Sequence, residues 1–180
     1  TSFNGVLSLT IYDAVKYKNT LANQTTSMVV PIAVQENILF KGKSTVKNGQ
    51  FSADFILPTQ VTNTSSPIKF ELAAASGEND AILILDTVFV KPNQYLNNKD
   101  TLGPSMTPYL NDLNFKQGKW AAPNSELNIL LWDSSGIQTS GNALGHDLAI
   151  WIDRNPIPIL LNNYFIANLD SYKSGKVVFT

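Results

Sequence analysis

The chain has no cysteine. That excludes disulfides, thiolate metal sites and a thiol nucleophile within these 180 residues. It leaves the compartment open, because a secreted β-protein of this size can do without bridges. Histidine and arginine occur once each, as His146 and Arg154. Arginine carries much of phosphate recognition, so its scarcity argues against nucleic acid as a partner. So does the charge balance. Thirteen basic residues against 14 acidic ones give a net charge of −1, too little for a steering field of either sign. An anionic membrane surface is disfavoured on the same ground. No apolar run approaches the roughly 20 residues of a spanning helix. Also missing are a sustained 3.6-residue apolar period with caps and any short solenoid repeat. The chain opens TSFNGVLS, without an initiator methionine or a signal peptide, and reads as a mature or excised piece.

What is present is a series of short apolar runs set between turn formers. Nineteen asparagines, with many serines and threonines, favour turns and strand ends over helix interiors. Gly5 to Tyr12 alternates, with Leu7, Leu9 and Ile11 on one face, and predicts a half-buried strand. Met28 to Val34 is apolar and β-branched, but Pro31 cannot donate to a ladder, so an edge or bulged strand is expected. Asn48-Gly49 lies between two alternating runs and is a strong hairpin signal, since both residues tolerate φ > 0. The return strand would carry Phe51, Ala53, Phe55 and Leu57 on one face and stop at Pro58. Ile68 to Ala75 and Ala81 to Val90 are split by the turn Ser76-Gly77-Glu78-Asn79. The second run is apolar on both faces and is expected at the centre of a sheet. Further strands are expected at Met106 to Leu110, Leu127 to Trp132, Asp147 to Ile152, Ile157 to Leu161 and Lys176 to Phe179.

Together these predict an all-β chain of two antiparallel immunoglobulin-like β-sandwich domains in tandem. Domain 1 spans residues 1–91, a polar linker 92–103, and domain 2 residues 104–180. Each would close its own core, around Phe51, Phe55 and Leu57 in the first and around Leu127, Ile129, Leu131, Leu148 and Ile150 in the second. Domain 2 offers fewer strands than the roughly seven of such a sandwich. It is therefore expected to be incomplete, with Lys176 to Phe179 exposed as an edge for dimerisation or for a second polypeptide.

The residues able to carry chemistry gather in DSSGIQTSGNALGHDLAIWID, Asp133 to Asp153, a strand end running into a polar loop with Gly136, Gly141 and Gly145. A Ser-His-Asp arrangement would have to join His146 with Ser134 or Ser140 and Asp147. There is no G-x-S-x-G motif and no strand-turn-helix elbow. His146 is therefore expected to hold loop backbone, and no catalytic residue is assigned. No cofactor is expected unless Asp133, Asp147 and Asp153 join loop carbonyls around a Ca²⁺ ion. Their spacing is unlike an EF-hand, and acids at strand ends more often cap turns. Zn²⁺ at His146 lacks a second histidine or any cysteine. The loop from Ser134 to His146 is expected to be ordered by its own contacts, with Asp133, Asn142 and Asp147 satisfying backbone N–H groups. Trp132 and Trp151 sit inside apolar runs and are expected in the core, whereas Trp120 is expected to be exposed and is the candidate sugar platform. Asn23 and Asn63 head glycosylation-type triplets, which arise easily by chance in so Asn- and Thr-rich a chain.

The loop motifs recur in a definite order: Ser-Gly-Ile-x-Thr-Ser-Gly-Asn, then Gly-His-Asp, Leu-Asn-x-Tyr-Phe and Leu-Asp-Ser-Tyr. With FNGVLSLTIYD near the start and NILFKGKSTVKNGQFSADFILPTQV over Asn37 to Val61, this resembles the C-terminal region of the PorU-type type IX secretion sortases of Bacteroidota. That family consists of gingipain-like cysteine peptidases whose catalytic cysteine and histidine lie in a separate, N-terminal domain. No residue of this chain matches those motifs, so none is carried over. The resemblance implies non-catalytic β-modules of a peptidase that processes C-terminal signal domains of secreted cargo at the outer-membrane surface of a Gram-negative bacterium. Implied partners are the chain's own N-terminal peptidase domain, outer-membrane secretion proteins and the cargo. Asn163 and Asn168 stand where similar sequences often carry Asp, against an acidic metal cluster there. The resemblance also makes Thr87 and Thr101, each in an Asp-Thr-apolar triplet, candidates for O-glycosylation. The alternative is an independent cell-surface adhesin or carbohydrate-binding sandwich, since fold alone does not give function.

Overall fold

A computed structural model describes residues 3–58, 65–77, 79–90, 102–141 and 147–180. The first half forms β1 (Gly5–Tyr12), β2 (Lys16–Asn19), β3 (Pro31–Val34), β4 (Ile38–Val46), β5 (Ile68–Ser76) and β6 (Asn79–Val88). The second forms β7 (Ser105–Leu110), β8 (Leu127–Trp132), β9 (Ala149–Ile150), β10 (Ile159–Leu160), a 3₁₀ turn at Asn162–Tyr164, β11 (Phe165–Ala167) and β12 (Ser174–Phe179). No α-helix occurs among the described residues, so none there is long and apolar enough to cross a membrane. The chain is all-β, and every pairing between these strands is antiparallel.

Each half supplies one four-stranded sheet, β4-β1-β5-β6 from the first and β11-β12-β8-β7 from the second. Period-two alternation sets which face each buries. In β1, Leu7, Leu9 and Ile11 turn inward while Ser8 faces out; in β8, Ile129 and Leu131 are buried. These side chains do not form two cores. Leu7, Leu9, Ile11, Phe40 and Leu72 from the first sheet share one buried cluster with Ile129, Leu131, Phe165 and Val177 from the second. The expectation of a separate core in each half thus gives way to a shared one. A half-sandwich has one apolar face, and the nearest cover for each sheet is the other sheet. Two glycines set the spacing. A Cβ on Gly42 would meet the Phe40 ring at 2.7 Å and the Ala167 Cβ at 3.1 Å, where β4 and β11 cross closely. A Cβ on Gly175 would meet the Phe165 ring at 2.3 Å, so that ring packs flat on β12.

Other departures have local causes. Asn48 and Gly49 do turn with φ of 51° and 75°, closed by paired Lys47–Gln50 backbone hydrogen bonds at 2.9 Å. The return strand does not form. Ser44 Oγ donates to the Ser52 carbonyl at 2.6 Å, and the chain then leaves β4. Phe55 packs against Phe40 and Phe70, with ring centroids 5.6 and 6.4 Å apart, while Phe51 stays half exposed. Aromatic packing on the inner face outweighs a few ladder bonds. The last strand, β12, is not an edge. It pairs with β8 along its whole length and with β11 over Gly175 to Val177, so of Lys176 to Phe179 only Val178 and Phe179 lack a second strand. The 92–103 linker falls outside the described residues except at its end.

Candidate functional site

Of the strands that end the two four-stranded sheets, β6 is the longest and most apolar to be left exposed along its whole length. It was expected at a sheet centre, yet it pairs only with β5, and all ten of its residues are exposed. Apolar character on both faces shows that a strand needs cover, but not where the cover comes from. Register separates the two faces. Leu83 lies opposite Leu72, which lies opposite inward-facing Leu9, so Ala81, Leu83 and Leu85 share the inner face; the register then shifts, and Val88 lies opposite buried Ile68. Asp80, Ile82 and Ile84 share the outer face, and Asp86 follows where the register shifts. Ile82, Leu83 and Ile84 are 75, 50 and 59% exposed. In the second sheet, Met106 of β7 lies opposite buried Leu131 and therefore also faces inward, but is exposed. A groove of about 320 Å³ opens beside β6, lined by Phe3, Leu7, Phe51, Leu72 and Leu83. Edge strands are normally short, bulged, or charged along their length. β6 is long, its register shifts only past Leu85, and it carries acids only at its two shoulders, Asp80 and Asp86. Close by on the outer face, Lys69 is engaged with Glu71 at 2.8 Å and lies over the Tyr12 ring at 4.3 Å. The Lys69 hydrogen bond holds Glu71 below its ordinary value, whereas burial and then the Glu71 hydrogen bond raise Tyr12.

A second constellation joins the halves. The turn after β11 carries Asp170 in the left-handed region, φ 54°. Its carboxylate accepts the Thr45 backbone N–H at 2.7 Å and the Thr45 hydroxyl at 2.5 Å, with the Ser44 hydroxyl at 3.3 Å. Asp170 N–H donates back to the Lys43 carbonyl at 3.0 Å, beside a parallel bridge between Lys43 and Leu169. Donors from Thr45 hold the Asp170 carboxyl below the usual aspartate value. A cleft of about 520 Å³ borders this latch. Nothing in the local sequence marks Asp170, because its partners lie 125 residues away.

The acids proposed as Ca²⁺ ligands act separately. Asp133 is buried and accepts the Ser135 N–H at 2.8 Å, a turn-capping role. Asp147 lies against Gly141, and Asp153 is on an exposed turn with φ 51°. No group of three metal-ligating acids or histidines comes together among the described residues. His146, Asn142, Thr101 and Asn63 fall outside the described residues. Ser134 is exposed, Ser140 is fully buried beside Gln138, and Thr87 is exposed on β6.

The described part of the long loop is pinned by a residue that sequence reading did not single out. Asn162 donates from Nδ2 to the Thr139 carbonyl at 2.8 Å and accepts the Leu148 N–H at 3.2 Å. Two of the three tryptophan expectations fail. Trp132 and Trp151 are 56 and 60% exposed, because alternation in β8 turns Trp132 outward and β9 ends before Trp151. Trp120 is fully exposed, as expected. Comparison with protein-family models, curated proteins and solved structures finds no match to the chain.

Proposed function

We propose that this chain is a non-catalytic interaction module, and that its context is a sortase-like cysteine peptidase of the type IX secretion system. In that reading the sheets form immunoglobulin-like modules joined through residues 92–103. They work at the outer-membrane surface beside an N-terminal peptidase domain, with secretion proteins or signal-bearing cargo as partners. The observation that carries the interaction role is β6, a ten-residue edge strand with an apolar centre and no second partner beside β5 among the described residues. Such an edge gives main-chain hydrogen bonds to an added strand and pockets to its alternate side chains. The family context rests on the sequence resemblance. The absence of cysteine is in keeping with a non-catalytic part, since that chemistry needs a thiolate.

The test is made in cells of a bacterium that carries the system. A photo-crosslinker at position 82 should capture a secretion component or the peptidase domain. Loss of the region should leave cargo signal domains uncleaved. Normal cargo processing after its removal sinks the peptidase context. The alternative, a carbohydrate-binding surface module, draws on Trp120, whose ring is 100% exposed. A glycan-array hit abolished by Trp120→Ala favours it.

A further inference from the structure

We propose that the free edge of β6 receives an extended strand from another protein, one carrying five apolar residues between two basic residues. This deepens the interaction reading and rests on it. The ladder argument comes first. In an antiparallel pair, alternate residues turn their N–H and C=O groups to the neighbour and away from it. Among the described residues β6 is bonded only to β5, so half of its backbone groups face outward along a run with Ile82, Leu83, Ile84 and Leu85 at its centre.

Charge then selects the partner. Asp80 and Asp86 are exposed and bracket the apolar run; Asp80 lies on the face of Ile82 and Ile84, and Asp86 sits at the register shift just past Leu85. The nearby cation, Lys69, is held by Glu71. A strand that overlays the run therefore meets a carboxylate at each end. Opposite charges directly across a ladder stabilise it and like charges oppose it.

The same arithmetic disfavours a second copy. A two-fold antiparallel pairing keeps facing side chains on one side of the sheet, so it must centre on a residue. Centred on Leu83, it sets Asp80 against Asp86 twice. Centred on Ile82 it sets Asp80 against Ile84, and centred on Ile84 it sets Asp86 against Ile82. Each register that overlaps the run buries a carboxylate against a carboxylate or an isoleucine. Nor does another segment of this chain fit. Among its 13 basic residues, the pair six positions apart is Lys41 and Lys47, with the polar GKSTV between them inside β4. The complement must come from a different polypeptide.

The experiment uses the whole chain and three labelled seven-residue peptides. One has lysine at both ends and alternating valine and isoleucine between; the second has glutamate ends; the third has lysine ends around a Gly-Ser interior. The lysine-ended apolar peptide should bind and should slow amide exchange at Ile82 and Ile84. The glutamate-ended peptide should bind about tenfold more weakly at low salt, and the difference should shrink at high salt. The double variant Asp80→Lys, Asp86→Lys, which alters exposed side chains only, should reverse that preference. Equal binding of both apolar peptides with β6 protected overturns the charge rule but leaves the interaction reading standing. Binding without protection of β6, or no binding, overturns the proposed site. Sedimentation showing that the chain dimerises and protects its own β6 also overturns it.

Discussion

The Asp170 carboxylate takes two hydrogen bonds from Thr45, one from the backbone N–H at 2.7 Å and one from the hydroxyl at 2.5 Å, and thereby ties the second half of the chain to β4. This pairing predicts an acid-dependent loss of stability. The folded-state value of Asp170 lies below its ordinary one, chiefly through the Thr45 hydroxyl. A depressed carboxyl contributes stability that is complete above the unfolded value and is lost as pH falls through the folded one. Asp170→Ala should lower the denaturation midpoint at neutral pH, and its gap from wild type should narrow as acid is added. A gap that stays constant into strong acid would show that ionisation of Asp170 is not involved.

The shared core predicts one cooperative transition. All three tryptophans lie in the second half, at 120, 132 and 151. Leu9 is in the first half and 3% exposed. Leu9→Ala should cost about 2–5 kcal/mol, and the loss should appear in tryptophan fluorescence as fully as in far-ultraviolet circular dichroism. Two separable transitions, with the tryptophan signal unmoved, would mean that the halves fold apart.

Asn162 should prove a structural anchor of the loop. Asn162→Ala removes the donor to the Thr139 carbonyl and the acceptor for Leu148 N–H. Leaving buried backbone groups without those bonds costs about 1–3 kcal/mol. Hydrogen exchange should quicken at Leu148 and leave β1 protected. Unchanged exchange at Leu148 would deny the anchor role.

Gly175→Ala should destabilise by about 1–3 kcal/mol through overpacking. The new methyl would meet the Phe165 ring at 2.3 Å, and that ring is 3% exposed with little room to move. A second change, Phe165→Leu, should recover part of the loss by removing ring atoms. Thermal denaturation of the single and double variants measures this directly, and no recovery would place the strain elsewhere.

Strands whose two faces differ were legible from the residues. Leu127 to Trp132 is β8 with the same limits, and Gly5 to Tyr12 is β1, because alternation fixes both the state and the buried face. The Asn48-Gly49 turn was equally plain, since it depends on two adjacent residues. What followed the turn was not, because Phe55 answers to Phe40 and Phe70 rather than to its neighbours. β6 was misplaced for a different reason: an apolar strand looks the same whether its cover comes from its own sheet or from another molecule. Trp132 was misjudged by hydrophobicity, although the alternation that turned Leu131 inward already turned it outward. Asp170 and Asn162 stood in recognisable motifs, but their roles were hidden, since they are set by groups 125 and 23 residues away.

The latch between Thr45 and Asp170 also bears on when the chain can fold. The first sheet has its strands by residue 88, yet its inner face is sealed only once β8, β11 and β12 are in place. Contacts so distant in sequence close slowly. Neither half has a finished core to resist being drawn out straight. Until β12 docks, the apolar inner face of the first sheet therefore stays open to solvent, and docking of the closing strand is the step that hides it.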